Sequence, residues 1–219
     1  MPDFTPAVQD YAKAIHALEE RDGEVTTTAL AERLCVTPAS ASAMVRRLVE
    51  QALVTHEPYK GITLTDAGRA LALEMIRHHR LLETYLAVSL DMPWDRVHAE
   101  AEVLEHVLSE DLEARIAAKL GHPTHDPHGD PIPSADLEVE PDDTRALVAL
   151  EPGDRGTLAR IADAEPEMLR YLSARGITPG AELQVVDKQP FGGPLFVAVG
   201  AETHALGGRL AASMRVRGA

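Results

Sequence analysis

Residues 94–120 carry a stripe of side chains suited to holding a divalent cation. On a helical wheel, His98, Glu102, Glu105 and His106 fall within about 100° of one another. The apolar residues Val97, Ala101, Leu104, Leu108 and Leu112 form a stripe alongside, so the four polar groups border a core rather than open water. Imidazoles and carboxylates at a core margin carry a desolvation cost that a cation removes. One helix earlier, His79 and Glu83 stand at i, i+4, the spacing at which two side chains can chelate one ion. The plainer alternative is a solvated acidic face with incidental histidines. It fits one such helix better than two in succession.

A second group of residues suits DNA. A short helix over residues 28–34 is followed by one that starts at Thr37-Pro38, with threonine as N-cap and proline in the first position. In a helix-turn-helix, the N-terminal residues of the second helix meet base edges in the major groove. Here they are Thr37, Pro38, Ala39, Ser40, Ser42 and Ala43, small enough for close approach, with methyls for thymine and hydroxyls for phosphate. Arg46, Arg47 and Lys60 supply backbone neutralisation. A protein-docking winged helix is the alternative, and the local concentration of basic residues favours DNA.

The elements that must position these residues follow from periodicity. Val8, Tyr11, Ala12, Ile15 and Leu18 make residues 6–21 an amphipathic helix. LVTHEPYKGITL reads as a hairpin, and Thr65 caps the next helix. Helix, helix-turn-helix, hairpin, helix is the order of a winged helix domain, expected over residues 1–72. Two long helices follow, over residues 65–89 and 94–120. Five prolines from residue 123 to residue 141 then forbid a continuous helix or strand, so that segment reads as a partly ordered tether. Beyond residue 146, β-rich runs punctuated by Gly and Pro, with one helical stretch at 166–174, suggest a small SH3-like β-barrel over 146–219. The chain is thus expected to be mainly α with small β parts.

Composition narrows the classes. The 219 residues are 45% hydrophobic, and no apolar run reaches the ~18–20 residues of a membrane span. The N-terminus has acids where a signal peptide has a basic region, so the expectation is a soluble, cytoplasmic protein. The single cysteine, Cys35, excludes a disulfide framework and is expected to be a small buried residue. Trp94, the lone tryptophan, is expected to cap or pack the start of its helix. A net charge of −14 argues against indiscriminate nucleic-acid binding. The acid is uneven: residues 1–72 hold seven Lys/Arg against ten Asp/Glu, and residues 73–135 five against twelve. The DNA-suited segment is the least acidic.

These residues together resemble the diphtheria toxin repressor family of metal-dependent transcriptional repressors. The resemblance rests on HHRLLE at residues 78–83, VHAEAEVLEHVLS at 97–109 and HGDPIP at 128–133, behind a winged helix. It is specific over the first two-thirds of the chain and weaker over the barrel, which it makes FeoA-like. It implies a homodimer on a palindromic DNA operator, with one or two dimers per operator. It also implies a helical metal-binding and dimerisation domain, with its Pro-rich tether, over 73–140, and two metal sites. The ancillary site falls on His79, Glu83 and His98, completed from the barrel by Glu165; a second barrel ligand, usually glutamine, falls on Met168. The primary site falls on Asp10, Glu102, Glu105 and His106. Iron-responding members carry methionine and cysteine at the first two of these four positions. Carboxylates there point to Mn²⁺ rather than Fe²⁺, because hard oxygen donors suit manganese. A further helix-1 glutamate of manganese-responding members falls on Lys13.

The expected function is therefore a manganese-sensing repressor of metal-homeostasis genes, with an iron-dependent repressor as the alternative. A metallohydrolase is disfavoured by the lack of HExxH, of a nucleophile elbow and of a spare general base. A regulator with an organic effector is disfavoured because its pocket needs aromatic lining and only 4% of the chain is aromatic.

Overall fold

The computed structural model describes residues 4–57, 61–163 and 165–218. The chain forms two compact units. The first comprises Met1–His78, Glu105–Leu108 and Pro133–Glu138; the second comprises His79–Leu104, Ser109–Ile132 and Val139–Ala219.

In the first unit, α1 (Pro6–Asp22), α2 (Thr27–Arg33) and α3 (Pro38–Glu50) precede the hairpin β1 (Val54–Glu57) and β2 (Gly61–Leu64) and the start of α4 (Asp66–Leu90). This is the winged-helix order expected. Proline opens α1, and Gly23, at φ 75°, closes it by donating its N–H to Glu19 O. The α1 face Val8, Tyr11, Ala12, Ile15 and Leu18 is buried with Leu30 of α2, Val45 and Leu48 of α3, Ile62 of the wing and Met75 of α4. Thr26 and Thr37 cap α2 and α3 by accepting the N–H groups of Ala29 and Ser40. Glu19 ties three elements together: one oxygen accepts the Leu64 N–H at 2.8 Å and the other Arg69 Nη2 at 2.9 Å. Thr65 Oγ1 accepts the Gly68 N–H, and at Gly68 a Cβ would stand 1.9 Å from Leu53 O, so α4 can begin against the residue that precedes β1 only with glycine there. Cys35 corrects the expectation of burial. It is exposed, because it takes the left-handed conformation (φ 53°) of the turn between α2 and α3.

In the second unit, the helix expected over 94–120 is broken. α5 (Trp94–Leu104) gives way to a 3₁₀ turn, Glu105–Val107, which belongs to the first unit, and then to α6 (Glu110–Lys119). Ser109 starts α6 by accepting the Leu112 N–H, and Glu110, Asp111 and Glu113 fill the first turn, where the helix dipole favours acid. A wheel drawn through the break fails from its edge onward: Val97 and Ala101 are buried, whereas Leu104, the last residue of α5, and Leu112 of α6 are exposed.

The barrel is a six-stranded antiparallel sheet. Its strands are β3 (Arg145–Ala146), β4 (Arg155–Ile161), β5 (Glu182–Lys188), β6 (Leu195–Val199), β7 (Glu202–Leu206) and β8 (Met214–Arg217), in the order β3-β8-β4-β5-β6-β7. α7 (Pro166–Ser173) buries Leu169 and Leu172 in its core. A short α8 (Gly208–Ala212), too brief for periodicity to reveal, joins it and buries Ala211. Trp94 packs, half-buried, against the same core.

Residues 121–132 hold neither helix nor strand, as their three prolines dictate, and their order goes well beyond that of a tether. Asp126, His128 and Asp130 are buried. Asp126 Oδ1 accepts the N–H groups of His128 and Asp130, both at 2.9 Å, folding the loop on itself. The Ile161 N–H donates to His128 O at 2.9 Å, fastening the loop to the end of β4.

Candidate metal centres

The second unit gathers the larger cluster. His79 and Glu83, one turn apart on α4, meet His98 of α5. His79 Nε2 lies 3.1 Å from both Glu83 Oε1 and His98 Nδ1, and His98 Nδ1 lies 3.2 Å from Glu83 Oε1. The i, i+4 spacing read from the sequence therefore does bring these donors to one point. Asp163, just beyond β4, completes the group with Oδ2 at 3.1 Å from His98 Nδ1.

Glu165, the expected barrel residue, is elsewhere. It sits extended at the N-cap of α7, and its carboxylate pairs with Arg209 of α8. Asp163, two residues earlier, is the barrel acid that reaches the cluster. Met168 packs toward the barrel core, where its sulfur accepts the Ser213 hydroxyl at 3.1 Å. Glu102 is exposed in this unit, with Oε1 3.6 Å from His79 Nδ1.

The residues that sequence reasoning missed lie on the loop. His128 Nδ1 faces Glu83 Oε2 at 3.7 Å, and Asp126 joins this group. Glu83 and His128 have fully buried side chains, and Glu83 Oε2 and His128 Nδ1 find no hydrogen-bond partner among the described residues. His128 Nε2 meets Trp94 O at 2.8 Å; a carbonyl only accepts, so this nitrogen carries the proton and Nδ1 faces the cluster. The sequence does carry a signal there: two acids and a histidine alternate at 126, 128 and 130, within and before HGDPIP. The surrounding prolines mask it, because they mark a tether and an ordered loop alike.

The electrostatics match a cation site. Burial alone would raise the Glu83 carboxyl, but its contacts with His128, His79 and His98 hold it far below the usual carboxylate range. Hydrogen bonds that the ring donates to Asp163 and Glu83 lift His98 to about 10. Burial works against charge on His128, and Glu83 overcomes it, lifting the imidazole to about 9. Asp126 goes the other way, raised by burial and by the neighbouring Asp130 carboxylate. Protons stand here where a divalent ion can neutralise the same carboxylates, with oxygen and imidazole donors and no sulfur. The donor set and the orphaned atoms fit such an ion.

Gly129 secures this loop. At φ +88°, a Cβ there would stand 1.8 Å from Ala159 O. Gly129→Ala is expected to cost about 2 kcal/mol or more from the left-handed conformation and the clash together. Calorimetry should register a lower melting temperature, and dialysis a faster loss of bound Mn²⁺. An unchanged melting temperature would mean the loop does not need this seat.

A smaller cluster lies within the first unit. Asp10 comes from α1, and Glu105 and His106 come from the 3₁₀ turn. His106 Nε2 is 3.3 Å from Asp10 Oδ1 and 3.9 Å from Glu105 Oε1. Gln9 Oε1 fixes the ring through Nδ1 at 2.7 Å, a contact without sequence signal. Glu105 is buried, and Lys13 Nζ donates to its two oxygens at 2.7 and 2.9 Å.

On α3, Ala41, Val45 and Leu48 point inward. Thr37, Pro38, Ala39, Ser40, Ala43, Arg46 and Arg47 are exposed, with Ser42 half-buried. The face expected to meet DNA is therefore open. Lys60 lies outside the described residues.

Comparison with known proteins covers most of the chain. Residues 3–62 match the iron dependent repressor N-terminal DNA binding domain, residues 65–134 the iron dependent repressor metal binding and dimerisation domain, and residues 145–218 the FeoA domain. The chain is 32% identical to the iron-dependent repressor IdeR of Mycobacterium tuberculosis, over 99% of each chain. It is 31% identical to the diphtheria toxin repressor of Corynebacterium efficiens, over 86% of each. Among solved structures, a manganese-dependent transcriptional repressor in complex with manganese superposes with a TM-score of 0.90 at 48% identity, covering 96% of this chain and 99% of that one. The manganese regulator SloR superposes at 0.79 and 29% identity, covering 98% of this chain and 99% of that one.

Proposed function

The chain belongs to the iron-dependent repressor family, and from that premise we propose a metal-dependent transcriptional repressor whose activating ion is Mn²⁺. One observation carries the mechanism. Asp10 stands on α1, against which α2 and α3 pack, whereas its cluster partners Glu105 and His106 stand on the turn that follows α5. These three residues would hold the ion. Its chemistry is charge neutralisation and ligation, which let donors from distant parts of the chain converge.

The protein residues do the rest. Gln9 orients the His106 ring toward Asp10. Asp10 transmits the position of the turn to α1, and through the shared core to α3. A geometry of α3 that the loaded state favours is one in which operator and ion bind more tightly together than apart; by linkage each raises the affinity of the other equally. The larger cluster of His79, Glu83, His98 and Asp163, extended by Asp126 and His128, would hold a second ion that fastens α4, α5, the loop and β4 to one another.

Manganese is favoured over iron because both clusters offer only oxygen and imidazole. The partner is operator DNA, read by a homodimer. Val88, Leu90, Val103 and Leu112 expose apolar surface on α4, α5 and α6, of the kind that buries itself against a second copy. The reading is of a regulator rather than an enzyme, in keeping with a family of DNA-binding repressors.

Asp10→Met tests the choice of ion. On a palindromic operator selected from random duplexes, wild type should respond to Mn²⁺ at least as well as to Fe²⁺, and the variant should move toward Fe²⁺. An unchanged ranking of the metals would remove Asp10 from the selection.

Arg46→Ala and Arg47→Ala should each weaken binding equally on all sequences and lower the slope of log K against log salt by about 0.9, as loss of one phosphate contact requires. Loss of discrimination at a single base pair, with the slope unchanged, would reassign that arginine to base readout.

A further inference from the structure

The smaller cluster contains a cation of its own. Lys13 stands three residues after Asp10 on α1, on the same face, and its ammonium donates to the two carboxylate oxygens of Glu105 at 2.7 and 2.9 Å. The Glu105 side chain is 0% exposed and that of Lys13 19%. A carboxylate removed from water needs a compensating charge, and the ammonium provides it. These same oxygens are what Glu105 would offer to a metal. The smaller cluster's remaining carboxylate, Asp10, faces His106 instead, and Gln9 takes the other nitrogen of that ring. A divalent ion drawn to the cluster therefore meets a positive charge already seated on its most buried donor.

We propose that Lys13 is the resident counter-ion of Glu105: it holds the metal-free cluster together and competes with the divalent ion, so that it sets the metal concentration at which the cluster fills. This rests on the reading of Asp10, Glu105 and His106 as a metal site. Entry of the ion requires the ammonium to release at least one Glu105 oxygen, and repulsion between the two cations weakens metal binding. A merely structural salt bridge differs in its consequence: its removal would loosen the turn and the metal site together.

Chelator-stripped protein is titrated with MnCl₂ by calorimetry, comparing wild type, Lys13→Met and Lys13→Arg, with His106→Ala identifying which binding event belongs to the smaller cluster. Lys13→Met keeps the length of the side chain and removes its charge. It is expected to bind Mn²⁺ at that cluster at least about tenfold more tightly, as removal of a like charge a few ångströms away implies, and to melt at a lower temperature than wild type when metal-free. Lys13→Arg should keep both properties near wild type. If Lys13→Met proves too unstable to prepare without metal, its Mn²⁺-loaded form is titrated with a fluorescent chelator, which reads the same affinity from the other side. Mn²⁺ affinity in Lys13→Met equal to or weaker than wild type overturns the proposal. A wild-type titration from which His106→Ala removes no binding event overturns the metal-site reading itself, and so separates the two failures.

Discussion

In saturating Mn²⁺, His106→Ala is expected to bind the operator no better than chelated wild type, a loss of about 100-fold, near the upper end of coupling free energies of ~1–3 kcal/mol. The imidazole is the one donor of the smaller cluster that faces both carboxylates, with Nε2 3.3 Å from Asp10 Oδ1 and 3.9 Å from Glu105 Oε1. Alanine removes that donor and leaves Asp10 and Glu105 without the one ligand that faces both. The fold should survive, because His106 is absent from the buried core that α1, α2, α3, the wing and α4 share. Circular dichroism and gel filtration should report a folded dimer. Operator binding that still responds to Mn²⁺ would place the trigger elsewhere.

Glu83→Ala should have the opposite balance, a large loss of stability and a lesser loss on DNA. Glu83 is fully buried among His79, His98 and His128, and its removal leaves imidazoles without the carboxylate that compensates them. Breaking a buried pair from one side costs about 3–5 kcal/mol, on the order of a 10 °C fall in melting temperature for a chain of this size. None of the cluster's residues lies on α1, α2 or α3, so operator affinity in Mn²⁺ should fall less than in His106→Ala. Trp94 gives an independent reading: its ring stacks on His128 with centroids 5.6 Å apart, and it is the only tryptophan. Its fluorescence should respond to Mn²⁺ in wild type and in His106→Ala, and should not respond in Glu83→Ala. Operator binding as poor in Glu83→Ala as in His106→Ala would end this division of labour.

What could be read from the sequence was set by local physics. Periodicity, the Thr37 cap and the hairpin between β1 and β2 all act within a few residues, and the winged helix was legible from them. The pair His79/Glu83 was legible for the same reason. The break in the helix after Leu104 was not, although Ser109 followed by acids is a helix start: a start signal inside an apolar-periodic stretch is outvoted by the period. The break matters to the site, since it puts Glu105 and His106 on a turn beside α1. Asp163, Asp126 and His128 were hidden for another reason. They come from a loop and a strand end brought to α4 by pairings such as Ile161 with His128, over separations that no spacing rule covers. The resemblance pointed to Glu165, and the extended backbone before Pro166 turns that side chain to Arg209 instead.

The central claim is that operator binding is conditional on the metal. Its most direct test is the affinity of the purified full-length protein for a labelled palindromic operator, measured by fluorescence anisotropy as free Mn²⁺ is raised and then withdrawn with chelator. The account predicts affinity that rises with Mn²⁺ and returns to the metal-free level on chelation, with the Mn²⁺ dependence lost in His106→Ala. Equal affinity with and without Mn²⁺ would contradict it.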